Sequence, residues 1–336
     1  MPPTEVTPLG RATISARELM QRFPPRWKHR NKLAVYERCS PASALHRGEV
    51  TVSRWAERPL PLDLRWSDAR TVIELRPDFY DYAPVPSSRP AVEWHLNFAH
   101  TVLFVAYGGP LFAQDEMQVA EHPALGAVRE WLLAESIPGL RGVTREDGRA
   151  TPVLLRGVER RCAVATDADL DAGRPYGLYS NAFGRASVET VLRATRVIDP
   201  PTVSNVLAME APPGGVGAYT DAQVRSIVAT AYTGFDAATR ESRLDGRDTD
   251  VVVHTGHWGT GAYGGDRALM AILQVASAKA AGVERLVFHA ADARGVEPCE
   301  RALRWLEVKS RSAPTLGAVI EAAVAEGFLW GVSDGN

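Results

Sequence analysis

Cysteine is scarce in this chain. The 336 residues hold three, Cys39, Cys162 and Cys299, far apart and without a CxxC pair. That argues against a disulfide framework or a structural zinc knuckle and makes a reducing cytoplasm the expected setting. A surplus of either charge is missing as well. With 38 Lys and Arg against 40 Asp and Glu, the net charge is −2, which excludes a polybasic face for direct nucleic-acid binding. The N-terminus lacks the continuous apolar stretch of a secretory signal, so none is expected. What remains is 45% hydrophobic and 23% charged residues, the balance of an ordinary globular chain. A chain this long can bury roughly 75% of its unfolded surface.

Charge is also missing locally. No Lys, Arg, Asp or Glu lies between Glu93 and Asp115, nor between Asp250 and Asp266. The first window is long enough to span a bilayer by residue count. It is broken by Gly108-Gly109-Pro110 and carries His95, Asn97 and His100, so no membrane partner is expected. Both windows read as buried strands running into glycine loops.

Residues 1–90 are rich in Pro and Arg, with short pieces such as SARELMQRF and TVIELRPDFYDY. They read as an accessory segment packed on a main domain spanning 91–336. From Ala91 onward short apolar runs predict strands at AVEWHLNFA, TVLFVAY, TPVLLRGV, SNVLAME, VVVHTG and ERLVFHAAD, alternating with helical periodicity. A helix interrupted near Pro123 is expected after Phe112, and a longer one starts at Thr220 and Asp221, which suit N-terminal capping. Alternating strands and helices predict an α/β fold, a mixed sheet flanked by helices, with ligands at the carboxyl ends of the strands.

The strand ending at Thr255 enters Gly256-His257-Trp258-Gly259-Thr260-Gly261-Ala262-Tyr263-Gly264-Gly265-Asp266, and a long helix starts at once. Glycines at this density let backbone N–H groups approach a ligand closely, and the helix start adds unpaired donors and the positive end of its dipole. Such a loop can cradle a diphosphate without a basic side chain. It can also be a plain strand-to-helix turn. In the first window, Gln114-Asp115-Glu116 opens a helix beside an apolar strand. One carboxyl kept protonated by burial and a like-charged neighbour can protonate a glycosidic leaving oxygen, and the other can hold a ribose hydroxyl as water captures an oxocarbenium-like centre. The plain reading is two acids complementing a helix dipole, worth about 0.3–1 kcal/mol.

TGHWGTGAYGGD, followed by RALMAILQVASAKAAGVERLVFHAAD, resembles the signature loop, helix and strand of the poly(ADP-ribose) glycohydrolase family, which has a macrodomain-type fold. Gln114 and Glu116 are similar to that family's Gln-Glu-Glu, with Asp115 for the first Glu. The resemblance implies ADP-ribose, or an ADP-ribosylated molecule, as ligand. It implies Glu116 as general acid, Asp115 on a ribose hydroxyl, Gly256, Trp258, Gly259, Thr260, Gly261, Ala262 and Gly264 around the diphosphate, and Tyr263 against the distal ribose. No cofactor or metal is implied. Phe104-Val105-Ala106 falls where the family has a triple glycine, and Gly108-Gly109 recovers a diglycine if the loop is remodelled. Side chains in that place are expected to crowd the diphosphate and to favour a smaller conjugate over the polymer. Tyr176 and Tyr179 are candidates for a tyrosine clasp, and Asn97 for a ribose contact. Two other classes stand beside the glycohydrolase: a catalytically inactive ADP-ribose or nucleotide-binding module, and a metal-dependent hydrolase using His254, His257, Asp266, His289 and Asp292.

Overall fold

The computed structural model describes residues 7–41, 44–65, 70–244, 246 and 248–333. The N-terminal reading on signal sequences falls partly outside them. The apolar, β-branched runs form strands, and the 3.6-periodic stretches form helices between them. The first part of the chain contributes β1 (Gly10–Ser15), α1 (Ala16–Arg22), α2 (Arg30–Cys39), β2 (Glu49–Arg54) and β3 (Val72–Arg76). Then come β4 (Ala91–Ala99), α3 (Gln114–Glu121), α4 (Pro123–Ala134), a small hairpin of β5 (Arg145–Glu146) and β6 (Arg149–Ala150), and β7 (Val153–Val164). The remainder is α5 (Asn181–Arg185), α6 (Val188–Ala194), β8 (Thr195–Glu210), α7 (Asp221–Arg243), β9 (Asp250–Gly256), α8 (Arg267–Ala280), β10 (Arg285–His289), α9 (Ala293–Lys309) and α10 (Leu316–Glu326).

One eight-stranded sheet runs in the order β1-β2-β7-β8-β4-β9-β10-β3. The block from β8 to β3 is parallel, and β7, β2 and β1 are joined antiparallel at the other side. The expected mixed α/β sheet flanked by helices is therefore what forms. The segment before residue 90 supplies both outer strands, β1 and β3, and the strand β2 beside β1. Strand alternation sends Trp94, Leu96, Leu207, Met209, Val251, Val253, Leu286 and Phe288 to one face, into a core with α7 and α8. A second core on the other face gathers Val206, Ala208, Val153 and Leu155 with Leu19 and residues of α4. Over β9 and β10 that face is covered by irregular chain, with Val85 packed on Val252 and Val287. The result of this covering is that the polar alternate positions of β4, Glu93, His95 and Asn97, face protein and not solvent.

Pro123 does interrupt the helix after Phe112, standing at the first position of α4, where a missing N–H costs nothing. Thr220 caps α7, its side chain accepting from the Gln223 amide while Gln223 reaches back. One expected strand is absent. Residues 101–107, TVLFVAY, form successive turns, with Val105 N donating to Val102 O, Tyr107 N to Phe104 O and Gly109 N to Ala106 O. The reason is packing: Leu103, Phe104 and Tyr107 are buried in the second core, and Phe104 takes a left-handed backbone with φ 53° to get there. An apolar run bounded by glycine cannot by itself distinguish a strand from turns that plug a core. Phe104→Ala is expected to cost about 3–5 kcal/mol, read as a lower urea midpoint.

Candidate functional site

A cavity of about 970 Å³ lies outside the carboxyl ends of the parallel strands, the expected place for a ligand in such a sheet. It brings Gln114, Asp115 and Glu116 together with residues 256–263, and adds Tyr179. Both charge-free windows thus end in the same hollow.

The acid pair is set by β4. Gln114 Oε1 accepts from Phe98 N at 2.7 Å, and its Nε2 donates to Leu96 O at 2.9 Å. Asn97 Nδ2 donates to Asp115 Oδ1 at 3.1 Å. Ala113 N donates to Glu116 Oε2 at 3.1 Å, so this acid also occupies the N3 position that caps a helix. Both carboxyl groups are buried, at 7% and 4% exposure. Burial, reinforced by the charge of Glu116, pushes Asp115 up to about 8, against the opposing pull of Asn97 and Lys32. Lys32, from α2, is buried as well and donates from Nζ to Tyr107 O at 2.9 Å and to Glu116 O at 3.5 Å. Burial lowers it to about 7 even with both acids near.

The opposite wall is the glycine loop. Trp258 is fully buried, and its Nε1 donates to Met209 O at 3.1 Å, so its indole fastens the loop to β8 while its backbone faces the cavity. Gly259 takes φ 75°, and a Cβ there would stand 2.7 Å from the Ala211 side chain. Thr260 Oγ1 donates to His257 O. The amides of Gly259, Gly261, Ala262 and Tyr263 have no backbone acceptor among the described residues. Tyr263 Oη donates to Glu210 Oε1 at 2.9 Å. The same carboxylate accepts from Thr101 at 2.7 Å and from Arg145 at 3.2 Å, which holds the ring in place. Asp266 caps α8 by accepting from Leu269 N.

Other residues of the wall were not singled out from the sequence. Arg160, Arg196 and Arg267 all line it. Arg160 is paired with Glu121 at 2.8 Å, and its guanidinium stacks on Tyr82 at 4.1 Å. Arg196 and Arg267 make no ion pair among the described residues. A phosphate here would therefore meet arginine as well as amides. Arg267, the residue after Asp266, was legible as the first residue of a helix next to the loop. Arg196 and Arg160 come from distant strands and carry no local signal. Tyr80 and Tyr82, also in the lining, come from the segment before residue 90, as does Lys32 behind the acids.

Several sequence candidates are not in the hollow. Gly108 and Gly109 lie outside the lining. Gly108 O accepts from the amides of Lys28 and His29, and a Cβ on Gly108 would stand 2.5 Å from Arg26 O, so this glycine serves contact with the N-terminal segment. Phe104, Val105 and Ala106, expected to crowd a ligand, are not among the residues that line the cavity. Gly264 packs on residues 331–333 behind the loop. Tyr176 is 90% exposed and outside the lining, while its neighbour Tyr179 is part of it. Asn97 stands one layer back, behind Asp115. Of the five residues of the metal-hydrolase reading, His257, His289 and Asp292 line the cavity, but no three of the five form a ligand cluster among the described residues. His257 Nε2 meets Gly295 O, Asp292 caps α9, and Asp266 caps α8. His254 and His289 meet each other at 3.1 Å. No helix among the described residues is long and apolar enough to cross a membrane.

Residues 191–297 match the family described as Poly (ADP-ribose) glycohydrolase (PARG), Macro domain fold, which bears out the resemblance seen in the glycine loop. No curated protein matches the sequence. Among solved structures the chain is similar to the poly(ADP-ribose) glycohydrolase of Thermomonospora curvata, with 15% identity, 86% of this chain and 98% of that one covered, and a TM-score of 0.44. It is also similar to that of Deinococcus radiodurans in complex with ADP-ribose, with 14% identity, coverage of 92% and 98%, and a TM-score of 0.41. A second Thermomonospora curvata structure, bound to the inhibitor ADP-HPD, gives 17% identity, coverage of 70% and 79%, and a TM-score of 0.41.

The buried acids give the fold a pH signature. Asp115 rises from 3.8 to about 8 on folding, so the native chain holds a proton that the unfolded chain releases. Its contribution is therefore most favourable below pH 4 and is lost progressively as the pH climbs towards 8. Lys32, lowered from 10.5 to about 7, acts with the opposite sign at higher pH. Urea midpoints between pH 4 and 7 are expected to fall less steeply in Asp115→Asn than in the parent chain. Equal slopes would mean that Asp115 titrates as an ordinary surface carboxylate.

Proposed function

We propose that this chain, whose residues 191–297 carry the poly(ADP-ribose) glycohydrolase signature, is a glycohydrolase that cleaves the ribosyl bond of an ADP-ribose conjugate or a related nucleotide glycoside. The observation that carries the reading is the meeting, in one cavity, of two adjacent buried carboxyl groups and a glycine loop in which the amides of Gly259, Gly261, Ala262 and Tyr263 have no backbone acceptor among the described residues. Burial and the neighbouring charge of Glu116 favour the protonated form of Asp115 close to neutral pH, so the site retains a proton. Glu116 is the general acid in this reading. Ala113 N occupies its Oε2 and leaves Oε1 for the leaving oxygen. As the glycosidic bond lengthens, the proton moves to that oxygen and positive charge grows on the anomeric carbon, which water captures. Asp115, oriented by Asn97, accepts a ribose hydroxyl.

The diphosphate lies along residues 259–263, held by amides and by Arg267 and Arg196, with Tyr263 against the distal ribose. A cavity of about 970 Å³ is at the upper end of the range for small-molecule sites, which suits a dinucleotide-sized ligand. A binding module without turnover is the second reading, favoured by one observation: the Glu116 bond to Ala113 N gives that acid a capping role that requires no chemistry.

Turnover separates the two. The purified chain is expected to release ADP-ribose from at least one member of a panel of O- and N-linked ADP-ribosyl conjugates, followed by liquid chromatography and mass spectrometry. Glu116→Gln should lower kcat by about 10²–10⁴-fold and keep calorimetric affinity for ADP-ribose within a few-fold. Binding without release by the parent chain supports the module. Neither binding nor release sinks both readings, and full turnover by Glu116→Gln moves the acid elsewhere.

A further inference from the structure

Away from the acid pair, the face of β4 and β9 that lies under the covering chain carries a buried cluster of imidazoles. His95 and His254 are neighbours in the parallel register, and Glu93 is two residues before His95 on the same face. Ligand atoms of Glu93, His95 and His254 all lie within 4.8 Å of one another. A second cavity, about 850 Å³, is bordered by Glu93 and His95 together with Tyr82, Arg156 and Asn205.

The hydrogen bonds of this cluster leave a cation unaccounted for. The carbonyl of Asp78 can only accept, so the 3.2 Å contact to His289 Nδ1 places a proton on that nitrogen. In neutral His289 the other nitrogen, Nε2, is then an acceptor, and it receives the Nδ1–H of His254 at 3.1 Å. That leaves the lone pair of His254 Nε2 directed at Glu93 Oε2, 2.8 Å away. Two acceptors at this separation need a positive charge between them, either a proton or a metal ion. Glu93 is itself held, its Oε1 accepting from Val85 N at 2.7 Å. His95 supplies the second, independent observation. It is 4% exposed, and neither of its ring nitrogens has a hydrogen-bond partner among the described residues, although buried polar atoms nearly always have one.

We propose that Glu93, His95 and His254 bind one divalent transition-metal ion of the zinc class. Two imidazoles and one carboxylate form a recurrent donor set for such ions, with a coordination position left open; here that position would face the second cavity. Bonds of about 2.0–2.2 Å in a tetrahedral site place neighbouring ligand atoms roughly 3.4 Å apart, so the 2.8 Å separation of His254 Nε2 and Glu93 Oε2 has to open slightly on coordination. The chain from His254 through His289 to Asp78 is the kind of outer hydrogen bonding that fixes a ligating histidine. The rings of His95 and His254 lie parallel, with centroids 4.2 Å apart, and coordination turns them towards each other about their Cβ–Cγ bonds. Only His254 belonged to the set considered in the sequence, and Glu93, His95 and His254 are not among the residues lining the proposed glycohydrolase cavity.

The test uses the full chain without a histidine tag. Elemental analysis of protein purified without chelator is expected to find close to one zinc-class ion per chain. After chelation, Co²⁺ should give visible d–d bands that saturate at one equivalent and are displaced by Zn²⁺, with X-ray absorption fine structure showing two imidazoles. His95→Gln and Glu93→Gln, each verified as folded by circular dichroism, should weaken Co²⁺ binding by at least about 100-fold. A parent chain with no bound ion and no saturable bands overturns the proposal in favour of a proton. So does a cobalt form with fewer than two imidazoles, or retention of the bands by both folded variants. None of these readouts depends on hydrolysis of an ADP-ribosyl bond.

Discussion

The side-chain amide of Gln114 bonds at once to the carbonyl of Leu96 and the amide of Phe98. It thereby continues the backbone pairing of β4 past His95, where the pairing with β9 ends while that with β8 goes on. Because the same residue begins α3, the helix can start in only one place and at one angle. Asp115 and Glu116 follow with their carboxyl groups turned into the buried space beside the strand end. A buried pair of adjacent acids is costly unless a proton is kept or partners are supplied. Here the partners are few and specific: Asn97 on one oxygen, the Ala113 amide on another, and the Lys32 ammonium behind the helix backbone. The electrostatics of the hollow follow from one amide group satisfying a strand.

The glycine loop is fixed by a comparable device on the next strand. Met209 and Glu210, the last two residues of β8, receive the indole N–H of Trp258 and the hydroxyl of Tyr263. Trp258 can therefore be wholly buried and still belong to the ligand wall, since what it offers is its place in the backbone. Adjacent strands β4 and β8 each organise one wall, and their parallel pairing sets the distance between the acids and the amides. Rigid strands thus do the positioning, while loops present the groups.

Much of this was readable from residue order, and the unreadable parts share a cause. The strands read at TPVLLRGV, SNVLAME, VVVHTG and ERLVFHAAD, the break at Pro123, the cap at Thr220 and the loop from 256 to 263 are local patterns, and local physics makes them. The turns at 101–107 were not readable, because Phe104 adopts its conformation to reach a core formed by residues far along the chain. Gly108 and Gly109 looked like ligand-side glycines, yet Gly108 serves a close approach by Arg26, which no spacing discloses. Arg160, Arg196 and Lys32 carry no pattern at all. Long-range pairing brings them in, and a charged residue on a strand looks the same whether it faces solvent or a phosphate. His95 was read correctly as lying in a buried strand, but nothing in its window hinted that its ring would stack on His254 of the other window.

The sheet order has a further meaning. Its outermost strands, β1 and β3, both come from the first ninety residues, and β2 lies between β1 and the antiparallel strand β7. The early chain therefore grips the later chain from both sides, like the two jaws of a clasp. Cutting at residue 90 would strip hydrogen-bond partners from β7 and from β10 together, and would remove Lys32, Tyr80 and Tyr82 in the same stroke. Unpaired strand edges of that kind invite association with other chains. The stretch that carries the recognisable signature, residues 191–297, holds only β8, β9 and β10 of the eight strands, so the rest of the sheet is built from chain outside it.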